Sequence, residues 1–94
     1  MRREALEEYN FTKSFIGVNG ISLSVGFTTP DKTEAEVKRA VIANTRKSYF
    51  LADHSKFDKI TAINIAPLTE GKIITDRVEN RKYVTEASVK EVMG

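Results

Sequence analysis

The run Asp53-His54-Ser55-Lys56 places a carboxylate, an imidazole, a hydroxyl and an ammonium on consecutive residues, directly after the apolar stretch Ser48 to Ala52. A lysine ammonium is a compact point charge that suits a phosphoryl group. On spacing alone the same residues make an ordinary turn, with Asp53 closing an Asx turn and Lys56 in solvent. A second candidate is Gly17-Val18-Asn19-Gly20-Ile21. Glycines at a strand end let a ligand or a second backbone approach closely, and Asn-Gly is equally a plain turn. A third is Gly26-Phe27-Thr28-Thr29-Pro30, which leads into a helix carrying Glu34 and Lys38. Two hydroxyls near a helix start suit an anion. Glu34 and Lys38 share a helix face and can pair, which also describes a capped surface helix with one exposed ion pair.

Other chemistries are excluded by what is missing. The chain has no cysteine and a single histidine, so disulfides, a Cys-based zinc site, a thiol nucleophile and a His-rich metal site are ruled out. His54 reads as a loop residue rather than a catalytic base. No G-x-S-x-G elbow, GxxxxGK loop or GxGxxG fingerprint occurs, which argues against an ATPase or a dinucleotide enzyme. The formal net charge of +2, from 15 basic and 13 acidic residues, is too small an electrostatic footprint for nucleic acid. Any DNA contact must therefore lie outside these residues. Tyr9, Phe11, Phe15, Tyr49 and Phe50 sit in apolar runs and read as core rather than as a base-stacking platform.

The elements that must carry these groups follow from pattern. Met1 to Tyr9 reads as the end of a helix, and Phe11 to Val18 as a buried strand. Ile21, Leu23 and Val25 alternate as a short extended segment, and Phe27 to Pro30 reads as a loop. Thr33 and Glu36 match a capping box, opening a helix to about Lys47 with Val37, Ala40, Val41 and Ile42 on its apolar side. Arg46 and Lys47 would sit at its C-terminal end. Ser48 to Ala52, Ile60 to Ile65 and Lys72 to Thr75 read as strands. Thr85 would cap a last helix with Val89, Val92 and Met93 on its apolar side. Strands separated by a helix predict an α/β fold with a mostly parallel sheet flanked by helices. Ligands in such sheets bind beyond the carboxyl ends of the strands. That rule selects the loops at Asn19-Gly20, Asp53 to Lys56, and Asp76.

Taken in order, Phe15-Ile16-Gly17-Val18-Asn19-Gly20-Ile21, Gly26-Phe27-Thr28-Thr29-Pro30, Glu34-Ala35-Glu36-Val37-Lys38-Arg39-Ala40, Leu51-Ala52-Asp53-His54-Ser55-Lys56-Phe57 and Ile73-Ile74-Thr75-Asp76 resemble the sensor domain of DeoR-type transcriptional regulators. The resemblance is nearly continuous over residues 11 to 76. It implies a fold related to ribose-5-phosphate isomerase, in truncated form. Residues 1–94 would be the C-terminal part of the sensor, without its first half and without the winged helix-turn-helix domain. It implies that a phosphorylated sugar is bound without chemistry and that binding changes operator affinity by population shift.

Carried over residue by residue, the resemblance assigns Asn19, Gly20, Thr28, Thr29, Glu34 and Lys38 to the sugar-facing parts, Lys56 to the phosphate, and Asp53 to loop or ligand support. Where many relatives have Asp, this chain has Asn19, which can still donate and accept hydrogen bonds. No cofactor and no metal is expected. The expected partners are the sugar phosphate, operator DNA through the missing domain, and further copies of the chain. A cytoplasmic protein with no membrane segment is expected, since no apolar run reaches the ~18 residues a span needs and no signal-peptide core is present. Two other functions remain open. An isomerase would use Glu36 as general base, with Asp53 behind it. A plain assembly domain would bind no sugar phosphate.

Overall fold

The computed structural model of the chain describes residues 10–92. The expected helix over Met1 to Tyr9, and Met93, lie outside the described residues. Four strands, β1 (Phe11–Gly17), β4 (Thr45–Leu51), β6 (Gly71–Thr75) and β7 (Ser88–Glu91), form an all-parallel sheet in the order β1-β4-β6-β7. A second sheet is antiparallel, with β2 (Gly20–Ser22), β3 (Gly26–Thr29) and β5 (Ile63–Ala66) in the order β2-β3-β5. Helices α1 (Lys32–Ala43) and α2 (Lys82–Glu86) complete the described elements. The α/β class with a parallel sheet is as expected. The antiparallel sheet is additional.

Strand alternation divides the parallel sheet into two unlike faces. Ser14 and Ile16 of β1, Ser48 and Phe50 of β4, and Ile73 and Thr75 of β6 are all buried. They meet Ile21 and Phe27 of the second sheet and Ala35 and Ile42 of α1 in one core. At its centre the rings of Phe27 and Phe50 stack with centroids 3.8 Å apart. The opposite face carries Lys13, Phe15, Lys47, Tyr49, Leu51 and Lys72. Of the aromatic residues expected in the core, Phe50 is fully buried, but Phe15 is 61% exposed and stacks on Tyr49 at 5.1 Å. The apolar run Phe15-Ile16 cannot place both side chains inside, because neighbours on a strand point to opposite faces.

Several local expectations are corrected. The α1 N-cap is Asp31, whose Oδ1 accepts the Glu34 amide at 2.9 Å, and not Thr33, which lies within the helix. The helix ends at Ala43 rather than near Lys47. Asn44 Nδ2 donates to the Ala40 carbonyl at 2.8 Å and the Thr45 hydroxyl to the Val41 carbonyl at 2.5 Å, closing the last turn. Arg46 and Lys47 then belong to β4. Gly26–Thr29 is a strand and not a loop. Gly26 takes a φ of 96°, and a Cβ there would run into the Ala66 carbonyl and Pro67, so a glycine is required. The strand read over Ile60 to Ile65 runs instead over Ile63–Ala66, leaving Ile60 59% exposed.

The final helix capped by Thr85 does not form. Thr85 lies inside the short helix α2, and Val89 belongs to β7, where it pairs with Ile73 of β6. Tyr83 of α2 is fully buried, and its hydroxyl lies 3.1 Å from the Ile21 carbonyl and 2.8 Å from Asp58 Oδ1. Burial, and then the bond to Asp58, push the Tyr83 hydroxyl up to about 12.

Candidate functional site

In the parallel sheet Gly17 pairs with Leu51 and Leu51 with Ile74, so β1, β4 and β6 end at one rim. The segments that follow them carry Asn19-Gly20, Asp53 to Lys56, and Asp76. The parallel register thus brings the three sequence-selected loops to one edge of the fold.

Each loop is tied down differently. Asn19 is exposed, its amide donates to the Thr28 carbonyl at 3.1 Å, and its Oδ1 accepts the Thr29 hydroxyl at 3.2 Å. Gly20 is buried, and a Cβ there would sit 2.5 Å from Thr28 Oγ1 and 2.6 Å from the Lys59 carbonyl oxygen. The absent side chain therefore serves close backbone packing at that point. Thr28 and Thr29 are both fully buried, and Thr28 Oγ1 accepts the Thr61 amide at 2.9 Å. These two threonines support the loops from beneath.

Glu34 is exposed in the first turn of α1. Lys38, one turn later, sends its ammonium to the Gly17 carbonyl at 2.6 Å, which ties α1 to the end of β1. That contact takes the place of the ion pair with Glu34 that the helical spacing allowed. Arg39 makes a similar tie, to the Asn64 carbonyl at 2.6 Å.

The corner after β4 is a single turn of 3₁₀ helix, His54–Lys56. Asp53 caps it, accepting the Ser55 amide at 2.8 Å and the Ser55 hydroxyl. Those two bonds hold the Asp53 carboxyl below the ordinary carboxylate range. Asp53 is thus an Asx-type anchor of the corner. Lys56 is half-buried, and its ammonium has no hydrogen-bond or ion-pair partner among the described residues.

Sequence patterning missed the tie between this corner and the end of β6. Asp76 Oδ2 lies 2.7 Å from His54 Nδ1, while Asp76 Oδ1 accepts the His54 amide at 2.7 Å and the Arg77 amide at 2.9 Å. The hydrogen bond from His54 is the main reason the Asp76 carboxyl is held far below its ordinary range. The available signal was positional: an acid directly after β6 and a histidine just after β4, on neighbouring parallel strands.

A different cleft, of about 310 Å³, opens at the starts of β4 and β6 between Arg46, Lys47, Tyr49 and Lys72, and no candidate residue lines it. Among the described residues no group of three His, Asp or Glu side chains is placed to hold a metal ion. Among them, too, no helix is long and apolar enough to cross a membrane.

The chain is 43% identical over 79 residues to an uncharacterized HTH-type transcriptional regulator, FruR, of Bacillus subtilis, covering 84% of this chain and 32% of that protein. It is 37% identical over 81 residues to the HTH-type transcriptional repressor GlcR of the same organism, covering 85% and 31%. It is 31% identical over 93 residues to the HTH-type transcriptional regulator GlpR of Haloferax volcanii, covering 95% and 36%. The chain thus spans about a third of the length of these curated relatives. All three are named as regulators and none as an enzyme. The profile of the DeoR C terminal sensor domain matches residues 1–77, and the chain belongs to that family.

Proposed function

We propose that the chain is the C-terminal part of a sugar-phosphate-sensing domain in a transcriptional regulator, with its effector bound at the rim after β1, β4 and β6. The observation that carries this reading is the Lys56 ammonium, without a partner among the described residues, on the corner after β4, beside the loop ends that follow β1 and β6. In this reading Lys56 is the positive pole for the phosphoryl group. Asn19, Glu34 and Lys38 are the groups facing the sugar hydroxyls. Gly20, Thr28 and Thr29 shape the floor, and Asp53 sets the turn that aims Lys56.

In a polypeptide of the relatives' length, a winged helix-turn-helix segment makes the operator contact and the rest of the sensor completes the cradle. Effector binding then shifts the population between states that do and do not hold DNA. A cytoplasmic homo-oligomer is the form in which we expect it to act.

The test is a thermal-shift panel of phosphorylated hexoses, pentoses and polyols on the full-length regulator, beside its Lys56→Ala variant. A selective ligand raises the melting temperature by mass action, and Lys56→Ala reduces that rise. No rise with any phosphorylated sugar or polyol overturns the reading and favours a plain assembly domain.

A further inference from the structure

The two ring nitrogens of His54 have different surroundings. Nδ1 lies 2.7 Å from Asp76 Oδ2. An ionised carboxylate only accepts, so Nδ1 carries the hydrogen whether the ring is neutral or charged. Nε2 is then a bare acceptor in the neutral ring and a donor in the imidazolium. Among the described residues Nε2 has no partner, and no buried side-chain nitrogen or oxygen is left unpaired, so Nε2 opens to solvent. The side chain is 35% exposed. The His54 amide already ties the corner to Asp76 at 2.7 Å. The ring therefore adds a directed and accessible nitrogen to a corner whose backbone is already held.

Asp76 bonds the ring, Arg77 follows Asp76 in the chain, and Asp53 and Lys56 lie on the ring's own turn. Asp53 is engaged by Ser55, and Arg77 Nε pairs with Glu79 at 3.2 Å. Asp76 offsets the charge of the imidazolium and fixes its direction. Lys56 remains as a second cation without a partner among the described residues.

We propose that His54 Nε2 is a ligand-contacting group of this rim, donating as an imidazolium to an oxygen of a bound phosphoryl group while Asp76 holds Nδ1. The proposal rests on the reading of the rim as a phosphoryl site and adds a residue and a proton to it. Binding of the anion draws a proton onto Nε2, because the charged ring is the form that donates there.

His54 is the only histidine, so its ring signals are assigned by inspection. Inorganic phosphate is titrated into isotope-labelled chain, with nuclear magnetic resonance following the ring and the backbone amides. His54→Asn is the informative variant, since its Nδ2 keeps a donor for Asp76 and Nε2 is lost. We expect phosphate to move the ring signals of the parent chain. We expect His54→Asn to bind phosphate about tenfold more weakly, the size of one charge-assisted hydrogen bond, with the amide signals of the corner near their parent positions. If phosphate moves the corner amides but not the ring, or if His54→Asn binds as well as the parent, the assignment of His54 is wrong and the rim reading survives. If no signal moves at any phosphate concentration, the assignment of His54 is wrong, and the rim reading is decided by the thermal-shift panel on the full-length regulator.

Discussion

Phe27 and Phe50 lie ring on ring, 3.8 Å between centroids and 11° between planes, although one belongs to the antiparallel sheet and the other to the parallel sheet. Both are fully buried. The pair lies in the core that the two sheets share. Phe27→Ala should cost about 3–5 kcal/mol, in the range of large-to-small aromatic truncations. Chemical denaturation reads the change, and a loss under about 1 kcal/mol would show that the stack matters little.

The start of α1 offers a sharper contrast. Asp31 caps the helix through the Glu34 amide, while Thr33 lies inside it. Asp31→Ala should destabilise by about 1 kcal/mol, and Thr33→Ala should be neutral or slightly stabilising because alanine is the better interior residue. Equal losses from both would restore the capping box read from the sequence.

Asp76 should make the rim sensitive to acid. Its folded-state pKa is depressed, chiefly by His54. Its stabilising contribution is therefore present above the ordinary carboxylate value near 3.8 and is lost as pH falls toward the folded value. Protection of the His54 amide against hydrogen exchange, taken relative to its intrinsic rate at each pH, should fall as the pH drops below that ordinary value, and Asp76→Asn should show reduced protection already at neutral pH. Exchange in Asp76→Asn that matches the parent would remove Asp76 as the anchor.

At the alkaline end the group to watch is Tyr83. Its folded pKa, about 12, stands above the unfolded value of 10.0. The stability it adds is complete below the unfolded value and disappears as pH rises through the folded one. Tyr83→Phe should cost about 1 kcal/mol at neutral pH through the lost bonds to Ile21 and Asp58. The variant should also lose part of the stability decline that the parent chain shows at high pH. Parallel alkaline unfolding curves for the two proteins would contradict this.

The face of the parallel sheet bearing Phe15 leads to a prediction about association. Phe15 is 61% exposed and Leu51 39%, and parallel sheets are ordinarily covered on both faces. We expect this chain to associate as its concentration rises, and Phe15→Ser to shift sedimentation toward the monomer. A parent chain that stays monomeric at every concentration would leave no role for that face in assembly.

What could be read from the sequence was what short-range pattern controls. The apolar stretches that became β1 and β4 and the helical run through Ala40 were legible, though not which face of each strand would be buried. So was the polar corner after a strand, and these were enough to place three loops at one rim. The misreadings came where distant partners decide. Thr28 and Thr29 look like loop residues because they are polar, yet Thr28 is buried by its bond to Thr61, thirty-three residues away. Val89 and Val92 have helical spacing, but pairing with β6 draws the segment into a strand, as tertiary context often overrides propensity. The His54–Asp76 tie joins residues 22 apart and has no local signature. Asn19, Asp53 and Lys56 were chosen by type and position, and the Asp53–Ser55 bonds show how a turn residue and an aiming residue can be the same one.

The place of β7 bears on where the domain can be cut. The family profile stops at residue 77, whereas β7 and Tyr83 lie beyond it. β7 protects the hydrogen-bonding edge of β6, and Tyr83 plugs the floor beneath Ile21. An excision at the profile's limit would strip both, turning an interior strand into a raw boundary open to stray pairing. The folding unit and the stretch that the family profile matches therefore have different ends, and a trimmed version should be cut by the first.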